Sequence, residues 1–599
     1  MKNLRFLFTT LLLLCSIVVS AHEFEVDGIY YNITDEFNKT VEVTYRGDDS
    51  LEYSNEYTGS VVIPESVTYG GTTYSVTSIG SRAFDDCEEL LNVTIPNSIV
   101  SIDKLAFSGT SLWKNQPDGL VYIDNWLVGY KGNKPEGDIV IHDGARGICE
   151  AAFKGCSNIT SVIIGNSVVT IGESAFYGCS ALTSIEIPNS VTKINNYAFA
   201  DCTNLLSVKI GDGVKSIGSY AFGFCKNITN LIIGRDFENM ASYAFWECNA
   251  IEKLEFNCKT IDGWFNYEAS IKEVVLGDNV ECVMDWTFSD CINLERVQFG
   301  NSVKSIGSRA FYGCKSLVDI QLPNSVKIIG DNAFNGCTSL VNINLGNGIE
   351  TLGNYMFSYC ESLGNIEIPN TVKSIGDCVF FACVGITSIT IPGSVEEIGW
   401  SPFVGCVNLK DLTFNARNVV DNAFSGCSGL VTVKFSDDVK NIGFAAFNSC
   451  TSLKNIVLGN GVENIGNSAF SNCSNLESIT INEKVVSIGT SVFYGCSSLK
   501  KITSLVPVDK LSGIDPAAFF GISDCVIYVP SGAKDWYSSI NTWNNFSSIV
   551  ELNEAAIYEV EAVELKNKDT IIYDLNGREI EYITGSGIYL IDGKKVMIK

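Results

Sequence analysis

The sequence predicts a solenoid of about 19 coils of 23 residues, each carrying a short parallel β-strand, with β-rich caps at both ends. Three observations predict it. Cys156, Cys179, Cys202, Cys225 and Cys248 are each 23 residues apart, as are Cys291, Cys314, Cys337, Cys360, Cys383 and Cys406, and Cys427, Cys450, Cys473 and Cys496; only the step from Cys406 to Cys427 is 21. A phenylalanine recurs in the same phase from Phe84 to Phe519, with degenerate units around Phe107, Phe265 and Phe519. The full unit reads Leu182-x-x-Ile185-x-Ile187-Pro188-x-Ser190-Val191-x-x-Ile194-x-x-x-Ala198-Phe199-x-x-Cys202. So short a unit cannot close a core alone, and only a like neighbour can cover its apolar side.

Residues 1–21 hold Lys2 and Arg5, an apolar run from Phe6 to Val19, and a small-residue end at Ala21, which predicts a secretory signal peptide cleaved after Ala21. The run is about 14 residues, short of the roughly 20 that a spanning helix needs, so no transmembrane segment is expected. Lipidation at Cys15 is disfavoured by the bulky Leu14 before it. Residues 22–59 alternate weakly, as in Val41-x-Val43-x-Tyr45, and read as an N-terminal β cap that protects the edge and apolar face of the first coil.

The solenoid is expected over residues 60–525. Ile185-x-Ile187 has period two, so both isoleucines point inward and Glu186 outward. Pro188 stops the strand, Asn189-Ser190 turns the chain, Val191 and Ile194 point inward again, and Ala198-Phe199 fills the middle. The glycine in Ile217-Gly218 and Ile306-Gly307 suits a tight or positive-φ corner. Strands about 4.8 Å apart would make a rod or arc roughly 90 Å long. Met240 and Ala241, in the places of Ile and Gly, and the stretch Ile261–Ile271 are expected to kink it.

Residues 113–138 break the phase with Trp113, Tyr122, Trp126 and Tyr130 between Pro117 and Pro135. They are candidates for a binding tip, since Trp and Tyr dominate interaction hot spots. The competing reading is a β-hairpin packed back on the solenoid, with Val121–Ile123 and Leu127-Val128 as its strands. Residues 526–550 read as a C-terminal cap, a strand through Val526–Val529 and a short helix with Trp536 and Trp543. Residues 551–599 read as a small β tail: Thr570–Tyr573 with a turn at Asn576-Gly577, then Gly587–Ile591, Asp592-Gly593 and Lys594–Lys599 as strand, turn and strand. Tyr573–Arg578 with Gly587–Lys599 resembles the short C-terminal tail domains of secreted Bacteroidetes proteins, some of which act as surface-sorting signals.

The repeat pattern resembles the leucine-rich repeats of the BspA-like family over about residues 60 to 525, with several units such as 317–337 keeping nearly every fixed place. The resemblance implies a secreted or surface-exposed, adhesin-type protein that binds host or bacterial proteins, without cofactors or catalytic residues to carry over. A structural spacer without a specific ligand is the alternative.

Composition narrows function independently. Lys plus Arg number 41 against 68 Asp plus Glu, a net charge of -27, which speaks against a phosphate-tracking surface and nucleic acid as partner. Two histidines, His22 and His142, leave most general-base and zinc chemistries without their usual residue. Paired carboxylates exist, but no insertion is large enough to enclose them. A row of cysteines in a secreted chain invites disulfides, yet side chains stacked about 4.8 Å apart and pointing the same way do not meet the facing geometry of a bridge. Buried thiols acting as small hydrophobes are expected, with off-register Cys149, Cys258, Cys282, Cys378 and Cys525 the better candidates for isolated bridges. The outward strand file, including Ile163, Glu186, Lys209, Gln298, Glu367 and Val457, has no uniform chemistry and no aromatic track, and suggests a mixed protein-binding face.

Overall fold

The computed structural model describes residues 22–47, 50, 55–522, 524–539 and 546–552, with the backbone of four short strands beyond. The proposed signal peptide with its cleavage point at Ala21, Trp543 and the Asn576-Gly577 turn lie outside the described residues. The chain is a parallel β-solenoid of about 20 turns, divided into two compact units, residues 1–259 and 260–599.

In the first unit the expected strands stack in register one repeat apart: Ser184–Ile187 pairs with Ser207–Ile210, then Asn230–Ile233, then Lys253–Phe256, with Ile185 opposite Val208 and Val208 opposite Leu231. A second file, which the sequence reading did not assign as strand, runs beside it. Thr170–Ile171, Lys193–Ile194, Ser216–Ile217 and Asn239–Met240 are two-residue strands that pair in the same way. Met240 stays opposite Ile217, so the substituted coil keeps its register. The second unit repeats both files, for example Asp411–Phe414 on Thr432–Phe435 and Asn441–Ile442 on Asn464–Ile465.

The core is one-dimensional. Phe153, Phe176, Phe199, Phe222 and Phe245 stack ring on ring, their centroids 5.0 to 5.1 Å apart. The second unit continues the device from Phe288 to Phe519 at 5.0 to 6.0 Å. Beside each ring lies a buried thiol, and it does more than fill space. Cys202 Sγ donates to the carbonyl of Phe176 at 3.3 Å, Cys337 to Phe311 at 3.2 Å and Cys383 to Phe357 at 3.0 Å. Each thiol thus gives a second hydrogen bond to a carbonyl that already accepts the amide of its own coil's cysteine, which an aliphatic side chain could not do. Burial raises the thiols of Cys179 and Cys360 to about 12. All cysteines of the described residues are free, so Cys149, Cys258, Cys282, Cys378 and Cys525 form no bridges either, and all but Cys282 are buried in packing.

Corner geometry also differs from expectation. Gly218 and Gly307 do not have positive φ; they are tight positions, where a Cβ would come within 2.6 and 2.5 Å of the backbone nitrogens of Asn196 and Asp285 in the preceding coil. Left-handed backbone falls instead two residues before and two after the repeat phenylalanine, as at Tyr197 (φ 56) and Asp201 (φ 59) around Phe199. Alternating hand swings every second amide toward the next coil: Tyr197 donates to Ser219, Phe199 to Ala221 and Asp201 to Gly223 at 2.7 to 3.0 Å. Turns that look irregular are therefore a third hydrogen-bonded stack.

The cap around Tyr31 is an antiparallel meander, Phe24–Val26, Ile29–Asp35 and Thr40–Thr44. At the far end Val526–Val529 pairs with Ser548–Glu551, with a short helix, Lys534–Ser539, between them in the chain. Its buried anchor is Tyr537, whose hydroxyl donates to Val506 O at 2.8 Å, while Trp536 is exposed. In the tail, Gly587–Ile591 pairs antiparallel with Ile572–Tyr573 and with Lys594–Ile598, which lies parallel to Tyr558–Glu559.

Candidate functional site

From Arg82 to Ser491 the residue ahead of each Ala-Phe pair has left-handed backbone, a conformation costing a non-glycine residue roughly 1–2 kcal/mol. Glycine would carry no such cost, and it is common at the matching position after the ring, as in Gly178, Gly313 and Gly336. Ahead of the ring the positive-φ residues are never glycine; they include Tyr197, Tyr220, Tyr243, Trp286, Arg309 and Tyr355. Strain kept where it could be relieved points to a use for the side chain.

In the first unit these side chains form rungs on the surface. Tyr197 and Tyr220 stack at 5.2 Å and 3°, Tyr220 and Tyr243 at 5.5 Å and 21°. Phe224 lies beside Tyr220 at 6.4 Å, and Trp246 meets Tyr243 at right angles, 5.1 Å away. Tyr197 is 37% exposed, Tyr243 55% and Trp246 46%. Tyr177 hydrogen-bonds through its hydroxyl to Asp201 at 2.7 Å, and Lys154 sits 5.2 Å over its ring. Contiguous exposed aromatic surface of this kind marks interaction sites. In the second unit the same position carries Trp286 with the Arg309 guanidinium 4.3 Å above its ring.

None of these residues was singled out in the sequence, although Tyr197-Ala198-Phe199, Tyr220-Ala221-Phe222 and Tyr243-Ala244-Phe245 are visible there, 23 residues apart. The aromatics that were singled out take other places. Gly119–Ile123 and Trp126–Lys131 pair antiparallel, so the insertion is the packed hairpin. Trp126 is only 1% exposed, and a Cβ on Gly147 would lie 2.2 Å from its ring. Trp113, half-buried, follows the helix cap Thr110, whose hydroxyl oxygen accepts its amide at 3.1 Å. Tyr122 packs against His142, with centroids 4.2 Å apart, and half-buried Tyr130 neighbours the Cys156 thiol. The four do not gather at one exposed tip, and buried Trp126 is removed from the candidate surface.

The outward strand file mixes apolar and charged groups. Val140 and Ile163 are adjacent and exposed, and Lys209 pairs with Glu186 on the neighbouring strand at 2.6 Å. Similar ion pairs one repeat apart join Arg235 to Asp212 and Lys304 to Glu281. Exposed as they are, they contribute little stability. Acids concentrate near the N-terminal end of the aromatic file. Asp103 is pushed up to about 6, first by burial and then by Glu150, Glu42 and Glu173. Among the described residues no group of three or more His, Cys, Asp or Glu side chains is placed to hold a metal ion. A depression of about 210 Å³ lined by Glu396, Glu397 and Arg417 opens beside the shortened coil that ends at Cys427, smaller than the usual small-molecule site.

A family described as BspA type leucine rich repeat region matches residues 50–127, 133–252, 259–383, 350–430 and 417–545. No curated protein matches the chain. Among solved structures, a leucine-rich repeat protein from Bacteroides ovatus is 27% identical, with 88% of this chain and 100% of that one covered and a TM-score of 0.41. A leucine rich cell surface protein from Faecalibacterium prausnitzii is 21% identical over 83% and 98% of the two chains, with a TM-score of 0.29. The pneumococcal vaccine antigen PcpA is 17% identical over 88% and 98%, also at 0.29.

Proposed function

The chain belongs to the BspA-type leucine-rich repeat family, whose members are typically cell-surface proteins, and from that premise we propose that it is a secreted or surface-held binding protein that attaches to other proteins without catalysing a reaction. The observation that carries this reading is the stacked file Tyr197, Tyr220 and Tyr243, with Tyr197, Tyr243 and the adjoining Trp246 exposed and Tyr220 and Phe224 half-buried between them. A spacer needs only the buried pattern, and serine meets the backbone demand at the same position in other coils, at Ser468 and Ser491. Large rigid rings put there instead present contact area at little cost in side-chain freedom. A stack exposes ring edges and hydroxyls, which suit the apolar and carbonyl groups of a protein surface.

Residues 1–21 would then direct export and residues 551–599 would serve as a sorting or anchoring tail, with host matrix or bacterial surface proteins as partners. The test coats beads with residues 22–599 and measures adhesion to immobilised matrix proteins and to bacterial cells, with the wild type and with Tyr220→Ser/Tyr243→Ser. Adhesion that drops at least several-fold in the variant supports the reading; adhesion absent from the wild type, or equal in both, favours the spacer.

A further inference from the structure

On the footing of the protein-binding reading, we propose that the N-terminal end of the aromatic file is a receptor for an arginine side chain of the partner, the guanidinium stacking on the free face of Tyr197 above Ser174 and beside Glu173.

The molecule contains its own precedent. Arg309 occupies the rung position one coil after Trp286, and its guanidinium carbon lies 4.3 Å from the centre of that ring. Both residues have the left-handed backbone of this position, φ 57 and 61. A guanidinium therefore fits where the next ring of the file would stand.

At Tyr197 the open place is on the opposite side, one coil before the ring. Tyr220 covers one face. On the other side the preceding rungs are the short Ser174 and Ala151, both with positive φ. Among the described residues no ring or cation lies on that face, and Tyr177 turns its hydroxyl to Asp201 instead. The coils are in van der Waals and hydrogen-bond register here, since Ser174 donates its amide to Asn196 O at 3.0 Å and Ala151 donates to Glu173 O at 2.8 Å.

The charge around the vacancy selects a cation. Glu150, Glu42 and Glu173 all lie close enough to act on Asp103, and Glu150 directly precedes the rung residue Ala151. Of the nearby cations, Lys104 reaches Glu150 at 4.0 Å and Lys154 is committed to the Tyr177 ring. Exposed Glu173 directly precedes Ser174. A planar, weakly hydrated guanidinium can stack and pair with a carboxylate at once, whereas an ammonium must give up more hydration to lie on a ring. A neutral sugar chain fits poorly, because the inner ring faces of the file already cover one another at 5.2 and 5.5 Å.

The experiment measures binding of a short fluorescein-labelled glycine–arginine repeat peptide to residues 22–599 by anisotropy, beside the same peptide with lysine and with citrulline, which is planar but uncharged. The arginine peptide is expected to bind, the lysine form several-fold more weakly and the citrulline form least. Tyr197→Ser should weaken the arginine peptide about tenfold; serine is already accommodated at this position at Ser174, Ser401, Ser468 and Ser491. Ser174→Arg should abolish binding by filling the rung from within, as Arg309 does, and Glu173→Gln should weaken it several-fold. Equal binding of the three peptides, no binding at all, or indifference to Tyr197→Ser and Ser174→Arg would overturn the proposal. So would binding of a neutral β-linked oligosaccharide that Tyr197→Ser removes. Adhesion lost in Tyr220→Ser/Tyr243→Ser while the peptide fails leaves the protein-binding reading standing and the arginine receptor refuted.

Discussion

The coils around Tyr197, Tyr220 and Tyr243 and those around Ser468 and Ser491 share one backbone and differ at one surface position. In both, the repeat phenylalanines are stacked and, apart from the half-buried Phe245, fully buried, and the residue ahead of the Ala-Phe or Val-Phe pair has positive φ between 55 and 63. In the first set that residue is a tyrosine, exposed at Tyr197 and Tyr243 and half-buried at Tyr220, and in the second a serine. Inside the coil, identity is imposed by the neighbours above and below. Ahead of the ring only backbone is constrained, so the side chain is free to serve a partner, and the difference between the two sets is where function can be read.

Truncating a core ring should make the two sets behave alike. Phe222→Ala and Phe470→Ala each remove a fully buried ring from between two others, and each should cost about 3–5 kcal/mol, measured as a shift in the urea-unfolding midpoint of the unit concerned. Unequal losses would mean that the cores, and not only the surfaces, differ. Exchanging the surface residues should separate the sets instead. Tyr243→Ser should lower adhesion several-fold with a stability change of roughly 0.5 kcal/mol or less, whereas Ser468→Ala should leave adhesion untouched; adhesion assays beside thermal melts check both.

The buried pattern was open to sequence reasoning because it obeys simple periods. Two-residue alternation put Ile185 and Ile187 inside, and the 23-residue phase of Phe and Cys put the rings and thiols in columns. What the thiols do, donating to phenylalanine carbonyls, depends on where a leftover carbonyl lies and has no sequence signature. The aromatic file escaped for a related reason. Strand alternation predicts outward positions only in strands, but Tyr197, Tyr220 and Tyr243 lie in a stretch of alternating left- and right-handed backbone, and with tyrosine rather than glycine at the left-handed sites nothing local announces it. Conversely Trp126 looked like a hot spot because it breaks the repeat, and the same break gave it a cavity to fill above Gly147.

One place ahead of Ser81, Lys104 and Ser308 lie Gly80, Asp103 and Gly307, so the acid replaces a tight glycine of the repeat. Its ordinary value of 3.8 is raised to about 6, by burial and then by Glu150, Glu42 and Glu173. A raised carboxyl favours the protonated form in the fold, so the stability it contributes is present below pH 3.8 and is lost as pH rises through about 6. Asp103→Asn should therefore melt higher than the wild type above pH 6 and lose that advantage toward pH 4. The neighbouring acids titrate in both proteins, which makes the difference between the two melting curves the quantity to follow; a constant offset across the range would refute the assignment.

The smallest effect tests whether left-handed backbone is a real cost in these coils. Ala382 follows Phe380 by two residues and has φ 57, whereas Gly405, Gly426 and Gly495 hold the same position elsewhere. Alanine gains nothing visible there: it is only half-buried, and its backbone makes an ordinary contact of 3.7 Å with the Cβ that Gly405 would carry. Ala382→Gly relieves roughly 1–2 kcal/mol of left-handed strain and gives back about 0.5–1 kcal/mol through the freer unfolded chain, a net stabilisation of about 0.5 kcal/mol. The same change at Tyr220 removes the same strain but also a stacked ring, so it should stabilise less and cost adhesion. A destabilised Ala382→Gly would mean that the alternating-hand turn selects its residues for something other than backbone conformation, and that tyrosine is not retained there against strain.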